Sequence, residues 1–477
     1  MFSFKQMSAK AVIRHAPLMT AVAAVMAVGG VGASSALAET ACVPEGTKIV
    51  GTGTAVQKSA QEIWTGRKVE SNPADPAYYE QANLPQAKGL GDGYFKQCEG
   101  KASPPSVTYG STGSGAGLFA FRFTGAGTIN KRIGFIGTTV APTAAQIENA
   151  ESATTGGKAT GANPIVVPVT QTAIAVIVNL PENCVFKAGK GITSAELTQV
   201  FGGTEITEWS QFSQIEAKVG GACSNKIKRV VRTDGSGTTF HLKNYLDVVD
   251  KTAAGTPPPC ETAGVASPGI TWADLMPIKS PGVNPNIEWP KCAGGTEVLP
   301  TSGMVAKVEE TDSSIGYAAL PDAKKGGAAV EEVALQNGGP LIKIYAGPES
   351  GEGANCANAK YTVPKRGQSD SMDPTAGEGV DWSAVFWANP TVGGANYPLC
   401  TLTYMVGWSD YSKTPIENPG NTSAIVEDYI KNYVVPAGAG LGQQDLGNKW
   451  YAPLPTLGGP GSENSVQDAA EFAAGKL

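Results

Sequence analysis

Three short segments rich in glycine and hydroxyl side chains constrain the fold of this chain more than any other feature. They are Gly51-Thr52-Gly53-Thr54, Gly113-Ser114-Gly115 and Gly235-Ser236-Gly237-Thr238. Each follows a strand pattern, at residues 48–50, 106–109 and 230–232, and each precedes a helix pattern. Strands that alternate with helices in this way predict an α/β fold.

A strand–glycine–helix turn of this kind is suited to binding an anion. The first N–H groups of a helix have no backbone partner and carry partial positive charge. Glycine lets the backbone approach a ligand closely, and a Ser or Thr hydroxyl adds a donor. Three such turns brought together would enclose a tetrahedral oxyanion, although each turn alone is better explained by ordinary turn chemistry and helix capping.

The third turn carries the strongest indication, because Arg232 precedes Ser236 by four residues. A strand-end arginine beside a helix N-terminus can form bidentate hydrogen bonds to an oxyanion. The alternative is a structural ion pair between Arg232 and Asp234, which is two residues further on. None of the three turns continues into the Gly-Lys-Ser/Thr or GxGxxG patterns of nucleotide-binding proteins.

The N-terminal segment has the layout of a secretory signal peptide. Three basic residues are followed by an apolar run at residues 18–31 and by a small-residue cleavage pattern at residues 36–38. That run is too short and too rich in Ala and Gly to predict a membrane anchor, and we expect no membrane insertion. The residues before Cys42 do not match a lipid-attachment pattern. We therefore expect residues 1–38 to be cleaved and the mature protein to be periplasmic or secreted.

The charge of the chain disfavours nucleic acid and anionic membranes as partners. The net charge is −6 for the whole chain and −9 without the three basic residues of the N-terminal segment. An acidic surface repels polyanions on average, whereas a small anion can still bind where donors are concentrated locally.

Eight cysteines follow the N-terminal segment, and none of them belongs to a CxxC pattern. In an exported protein, an even number of widely spaced cysteines predicts disulfides. Zinc is the alternative, but zinc sites favour closely spaced ligands and histidine. We expect neither a metal nor another cofactor. The pairing is left open by the sequence; pairing between neighbours is the simplest hypothesis, and it gives Cys42–Cys98, Cys184–Cys223, Cys260–Cys292 and Cys356–Cys400.

The residues around the third turn resemble those of a known family. Residues 231–240, Val-Arg-Thr-Asp-Gly-Ser-Gly-Thr-Thr-Phe, are similar to the R-x-D-G-S-G-T segment of the phosphate-binding (PstS-type) receptors of bacterial phosphate ABC transporters. Supporting similarities occur in the same order along the chain, at residues 51–64, 109–117, 193–209, 314–317 and 451–455.

The resemblance implies a class II periplasmic-binding-protein fold, in which two α/β lobes are joined by two crossover strands and the ligand binds in the cleft between them. The first lobe is expected at residues 39–168, with an insertion at 65–102. The second lobe is expected at 169–312, and the chain is expected to return to the first lobe at 313–477, ending in a C-terminal tail. The crossovers are predicted near residues 165–175 and 305–320.

The resemblance also implies a ligand set for inorganic phosphate or a related oxyanion. The second lobe would provide Arg232, Ser236, Gly237 and Thr238. The first lobe would provide Ser114, Thr139 and the backbone at Ala55 and Val56, with Thr54 supplying the hydroxyl that the family usually carries at the position of Ala55. A monomeric receptor that delivers its ligand to an ABC permease is the expected function.

One position departs from the family pattern. The family has an aspartate in a G-x-S-D-x-P turn, where it accepts a proton from bound phosphate, and the matching residues 137–142 place Val140 there. An acceptor-only carboxylate favours an anion that still carries a proton. We therefore predict that this chain separates phosphate from sulfate poorly, and the identity of the anion stays open.

Two other functions compete with a transport receptor. A phosphatase would use Ser114 or Ser236 as nucleophile and would require a base, and the one histidine after the signal segment, His241, is expected to be a packed or exposed bystander. We therefore predict that the protein is not an enzyme. A secreted protein that sequesters anions or mediates adhesion on the same scaffold is not distinguished from a transport receptor by sequence.

Overall fold

A computed structural model describes most of the chain beyond the N-terminal segment. The described residues are 48–65, 82–83, 106–126, 128–153, 162–203, 206–252, 271–279, 285–290, 296–299, 303–336, 341–344, 354–356, 361–362, 382–384, 386–387, 397–437, 442–446, 450–456 and 465–477. Over these residues, no helix is both long enough and apolar enough to cross a membrane. The predicted signal peptide at 1–38 and nearly all of the predicted insertion at 65–102 lie outside them.

Strands and helices alternate along the chain, as the sequence predicts. The strands are β1 (Lys48–Gly53), β2 (Ala82–Asn83), β3 (Ser106–Ser111), β4 (Phe135–Thr138), β5 (Pro164–Asn179), β6 (Cys184–Phe186), β7 (Ile192–Thr193), β8 (Ile215–Ala217), β9 (Lys228–Arg232), β10 (Thr296–Leu299), β11 (Ser314–Ala319), β12 (Glu331–Val333), β13 (Leu335–Gln336), β14 (Leu341–Ile342), β15 (Tyr361–Thr362), β16 (Phe386–Trp387), β17 (Cys400–Trp408) and β18 (Tyr451–Ala452).

The helices complete the alternation. They are α1 (Lys58–Thr65), α2 (Ser114–Ala120), α3 (Ala144–Ala153), α4 (Ser194–Gly202), α5 (Gly237–Thr252), α6 (Trp272–Leu275), α7 (Met304–Glu310), α8 (Leu320–Ala323), α9 (Pro419–Glu427), α10 (Gly442–Leu446) and α11 (Val466–Ala474). A π-helical segment, Asp428–Val434, continues α9, and a short 3-10 turn, Ala55–Gln57, precedes α1.

Most of the strands join one curled sheet. Its order is β10-β9-β11-β5-β17-β4-β1-β3-β2, with β12 and β18 also paired to β5. At one end β1 pairs in parallel with both β3 and β4, and at the other end β9 pairs in parallel with β10 and β11. The antiparallel pair of β5 and β17 lies between these two parallel regions.

Two hydrophobic cores are built on the two ends of this sheet. The first core contains apolar residues of β1, β3, β4, α9 and α11, and the second contains apolar residues of β9, β11, α4 and α5. The strand β5 passes from one core to the other, because Val169 belongs to the first and Ala173 to the second. Its apolar runs at 165–167 and 173–178 and the polar residues between them are all buried, as expected of a central strand covered on both faces. This arrangement is the predicted two-lobe α/β fold.

The chain returns to the first core later than the sequence suggests. The strand β11 and the buried residues Val333, Leu335 and Leu399 belong to the second core. The first core contains Tyr361 and Trp382 and continues from Leu402 on β17. The motif at residues 314–317 therefore forms a strand of the second core, whereas a crossover was predicted near 305–320. A short apolar strand that follows a helix, such as β11 after α7, has the same sequence pattern whichever core it joins. We propose that the second lobe extends to about residue 356 and that residues 397–400 also belong to it.

Two of the four predicted disulfides fall on described residues, and both are formed. Cys184 bonds to Cys223 and Cys356 bonds to Cys400. The predicted pairs Cys42–Cys98 and Cys260–Cys292 lie outside the described residues.

Candidate anion-binding site

In the first lobe, the turns that follow β1, β3 and β4 converge, because β1 pairs in parallel with both of the other strands. Their carboxyl ends therefore lie at one edge of the sheet, which is where α/β proteins bind ligands. Two backbone hydrogen bonds tie these turns together, from Gly113 N to Gly53 O at 2.7 Å and from Thr54 N to Gly137 O at 2.8 Å. The turns are thus held in one cluster although they are far apart in sequence.

The first turn is capped by its own threonine. Thr54 is buried, and its Oγ1 accepts a hydrogen bond from Val56 N at 3.2 Å. Its carbonyl accepts from the Tyr109 hydroxyl at 2.9 Å. The cap places the Ala55 and Val56 amides at the start of a helical turn. In this arrangement the Thr54 hydroxyl and the Val56 amide, both predicted ligand groups, are hydrogen-bonded to each other.

Ser114 and Thr139 form the centre of the first-lobe cluster. Their hydroxyl oxygens are 3.0 Å apart, and Thr139 N donates to Ser114 Oγ at 3.3 Å. Both side chains are almost completely buried, with 1% of Ser114 and none of Thr139 exposed. Because a hydroxyl can both donate and accept, this pair can turn donors toward an oxyanion while it stays hydrogen-bonded.

The second-lobe turn begins the long helix α5. Ser236 Oγ accepts from Thr239 N at 3.3 Å, which is the hydrogen bond of a helix cap. Ser236 N donates instead to the Asn286 side chain, Oδ1, at 2.7 Å. Ser236 and Thr238 are both buried. The amides that follow Ser236 at the start of the 16-residue helix α5 carry its partial positive charge.

The two lobes meet where the predicted ligand residues are concentrated. Gly115 N, in the first lobe, donates to Gly235 O, in the second, at 2.9 Å. A Cβ atom added at Gly237 would lie 1.6 Å from Thr139 Oγ1 and 2.8 Å from Ser114 Oγ. Glycine is therefore required at position 237 by the close approach of the two lobes. Ser114, Thr139 and Gly237 therefore lie together in one cluster.

Arg232 ends β9 close to the same turn and is engaged by Asp234. Its Nε donates to Asp234 Oδ1 at 2.8 Å and its Nη2 donates to Oδ2 at 2.6 Å. Burial opposes the positive charge, but the hydrogen bonds and charge of Asp234 outweigh it, so that the pKa of Arg232 is raised. The ion pair that the sequence left as an alternative is thus formed, and it orients the guanidinium with Nη1 outside the pair.

Several buried residues that the sequence did not single out support the second-lobe turn. Asn286 accepts from Ser236 N, and Lys243 donates to the carbonyls of Leu275, Asn286 and Glu288 at 2.7–3.0 Å. Burial lowers the pKa of Lys243 well below its usual value. Asn286 belongs to a Pro-rich stretch in which sequence alone predicts little regular structure, so nothing in the sequence pointed to it.

His241 is packed on α5, just after the third turn, which is one of the two predicted outcomes. In addition, its Nε2 contacts the carbonyl oxygen of Thr139 across the lobe boundary. Burial lowers the pKa of His241 to about 4, although the hydrogen bond to Thr139 opposes this effect. The imidazole is therefore neutral near pH 7.

Val140 directly follows the buried Thr139 and is itself half-buried. The Thr138 hydroxyl closes the turn, because it accepts from Val140 N at 3.0 Å and donates to Val140 O at 2.8 Å. Asp234, the carboxylate of the opposite turn, uses both of its oxygens to bind Arg232. The turn therefore keeps a tight shape with valine at position 140.

Comparison with known proteins identifies the family. Residues 84–417, more than half of the chain, match the model of the PBP superfamily domain. A curated relative, the phosphate-binding protein PstS of Xylella fastidiosa (strain Temecula1), is 26% identical over 309 residues, which cover 62% of this chain and 70% of the relative.

Solved structures share the fold. A phosphate-binding protein from Stenotrophomonas maltophilia aligns with a TM-score of 0.52 at 18% identity, covering 89% of this chain and 93% of that chain. A high-affinity periplasmic phosphate-binding protein, PfluDING, solved with phosphate, aligns with a TM-score of 0.51 at 18% identity, covering 86% of this chain and 91% of that chain. The two-lobe architecture and the family match agree: this chain belongs to the PBP superfamily.

Proposed function

We propose that this protein is an exported solute-binding protein that captures inorganic phosphate, or a closely similar tetrahedral oxyanion, for ABC-type uptake. The observation that carries the proposal is the cluster of Ser114, Thr139 and Gly237, to which both lobes contribute beside Arg232. Hydroxyls, helix-start amides and one arginine are the donors that tetrahedral oxyanions prefer. The phosphate-binding relatives support the same ligand class.

The proposed ligand set follows the two faces of the cleft. Thr54, Ala55, Val56, Ser114 and Thr139 contribute from the first lobe, and Arg232, Ser236, Gly237 and Thr238 from the second. The chemistry proposed for this set is binding alone. The hydroxyls of Thr54, Ser114, Thr139 and Ser236 are each hydrogen-bonded to another hydroxyl or to a backbone amide, and the nearby histidine contacts a carbonyl oxygen. A serine nucleophile would require that histidine to accept a proton from the serine.

Isothermal titration with phosphate and with sulfate, each at two pH values, tests the proposal. We expect saturable binding of phosphate to the purified mature protein with one site per chain. The proposal would be overturned if neither anion gave a heat of binding or raised the unfolding temperature of the protein. A ligand that binds only the folded state must raise that temperature.

The transport role and the monomeric state are tested separately. We expect the mature protein to elute as a monomer in light-scattering chromatography. An adjacent pair of genes that encode a permease and an ATPase would support uptake, whereas their absence together with tight anion binding would favour the sequestering protein.

A further inference from the structure

Across the candidate site, a second-lobe side chain reaches the first lobe directly. His241 lies on α5, four residues after Gly237, and its Nε2 contacts the main-chain oxygen of Thr139. Its neighbours Leu242, Tyr245 and Leu246 on the same helix are buried in the second core. Thr139 follows β4, whose apolar residues belong to the first core.

The chemistry of the partner determines which imidazole nitrogen carries the proton. A carbonyl oxygen only accepts hydrogen bonds, so Nε2 must be the protonated nitrogen of the neutral ring. The contact is thus a hydrogen bond donated by the second lobe to a turn of the first lobe.

Thr139, which accepts this hydrogen bond, is itself part of the cluster that it forms with Ser114 and Gly237. The Thr139 hydroxyl contacts Ser114 Oγ, its amide donates to the same oxygen, and its carbonyl accepts from His241. The orientation of Thr139 therefore depends on one residue from each lobe. Separation of the lobes breaks the His241 bond and releases the carbonyl end of the Thr139 peptide.

We propose that His241 is a positioning residue that holds the cleft closed over a bound anion and thereby slows its release. This inference rests on the proposed function. The bond exists only while the lobes are in contact, so it favours the closed arrangement by its own free energy. The backbone hydrogen bond from Gly115 N to Gly235 O acts in the same direction but cannot be removed by changing a side chain.

The test compares phosphate dissociation rates in three variants of the mature protein. His241→Leu keeps an apolar side chain and removes the donor, whereas His241→Gln keeps an N–H donor on a side chain of similar reach. Asn244→Ala is the matched control, because Asn244 is a half-buried polar residue of the same helix. The probe is inorganic phosphate, labelled with phosphorus-32 and chased with unlabelled phosphate in a rapid-filtration assay.

We expect His241→Leu to release phosphate about 5- to 10-fold faster, since one net hydrogen bond is lost from the closed state. The association rate should change by less than about twofold, because the open state lacks the bond. His241→Gln should recover most of the slow release, and Asn244→Ala should match the unaltered protein. Thermal unfolding in phosphate-free buffer reveals whether His241→Leu has damaged folding instead.

Three results would overturn the inference. They are an unchanged dissociation rate in His241→Leu, an equal acceleration in Asn244→Ala, and a failure of His241→Gln to slow release relative to His241→Leu. If the unaltered protein binds no phosphate, the proposed function itself fails. If the unaltered protein binds phosphate and the variants behave in one of the three ways above, only the role of His241 fails.

Discussion

At the scale of single residues, Arg232 illustrates how one ion pair can serve both structure and binding. Asp234 accepts two hydrogen bonds from the guanidinium and so fixes its plane at the end of β9. Only 8% of Arg232 is exposed, so the pair lies in a region where charge–charge interactions are poorly screened. A guanidinium held in this way is already oriented before an anion arrives, which lowers the entropy cost of binding.

Replacement of Arg232 by alanine should weaken phosphate binding by about 2–4 kcal/mol. The loss combines a charge-assisted hydrogen bond with the burial of an Asp234 carboxylate that no longer has its partner. Titration calorimetry measures the change. Lys413→Ala, which removes an equal charge from a more exposed pair with Asp410, is the control and should leave the affinity unchanged. If the dissociation constant of phosphate is unchanged in Arg232→Ala, Arg232 forms only a structural ion pair with Asp234 and does not bind the anion.

Val140 should determine how well the site separates phosphate from sulfate. With valine there, a fully ionised anion meets no unpaired acceptor, and we expect a preference for phosphate of only about 10- to 100-fold. Val140→Asp should sharpen that preference and weaken sulfate binding, because buried unpaired acceptors can discriminate by factors on the order of 10⁴. Competition of labelled phosphate by unlabelled sulfate provides the measurement, with Val140→Asn as an uncharged control. Failure of sulfate to compete with the unaltered protein at about thousand-fold excess would contradict this reading.

At the scale of elements, the helical segment that covers the first core contains a buried carboxylate. Asp428 begins the π-helical continuation of α9, and only 5% of it is exposed. Its Oδ1 accepts from Asn432 Nδ2 at 2.7 Å, and its Oδ2 is buried without a hydrogen-bond partner among the described residues. Burial raises the pKa of Asp428 to about 6, and the negative charge of Glu427 adds to the effect.

The pKa of Asp428 is about 6 in the folded protein and about 4 in the unfolded protein. The free energy of unfolding should therefore decrease as pH rises through this range, because the unfolded state releases the proton at lower pH than the folded state does. Asp428→Asn removes that cost and should raise the free energy of unfolding by about 1 kcal/mol at pH 7.5, with little gain at pH 4.5. Urea unfolding at the two pH values checks the prediction. Asp410→Asn is the opposite case, because the hydrogen bond from Ser412 lowers the pKa of Asp410, so its replacement should not stabilise the protein at pH 7.5. Equal effects of Asp428→Asn at both pH values would contradict the assignment.

At the scale of the whole molecule, two cores share one sheet, and β5 and β17 run side by side between them. All four cysteines of the two observed disulfides belong to the second core. The Cys356–Cys400 bond joins the start of β17 to the segment at residues 354–356. The disulfides therefore stabilise the lobe that contributes α5 and Arg232 to the site.

Removal of the Cys184–Cys223 bond by changing both residues to serine should lower the free energy of unfolding by about 4 kcal/mol, because the bond closes a sequence separation of 39 residues. The matched double variant at Cys356 and Cys400, with a separation of 44, should lose a similar amount. Guanidinium unfolding measures both. Thiol titration of the unreduced, denatured wild-type protein should find no free thiol, and several reactive thiols would contradict the disulfide framework predicted for all eight cysteines.

Local patterns sufficed for the parts of the fold that depend on neighbouring residues. The alternation of strands and helices, the turns at Thr54, Ser114 and Ser236, and the buried course of β5 all follow from propensity and from hydrophobic runs a few residues long. The resemblance of residues 231–240 to a receptor family then indicated which turns should share a site. The point at which the chain returns to the first core is harder to predict, because an apolar strand in the sequence does not indicate which core it joins.

The sequence alone therefore determined the fold class and the types of donor that the chain offers to an anion, since both are properties of short segments. The tertiary structure decided the partners of those donors. His241 meets the Thr139 carbonyl across 102 residues of sequence, and Asn286 binds the Ser236 amide across 50. Such contacts depend on how the two lobes pack and on which backbone groups remain unpaired after packing. No local pattern encodes them, because each is set by atoms that become neighbours only when the chain is folded.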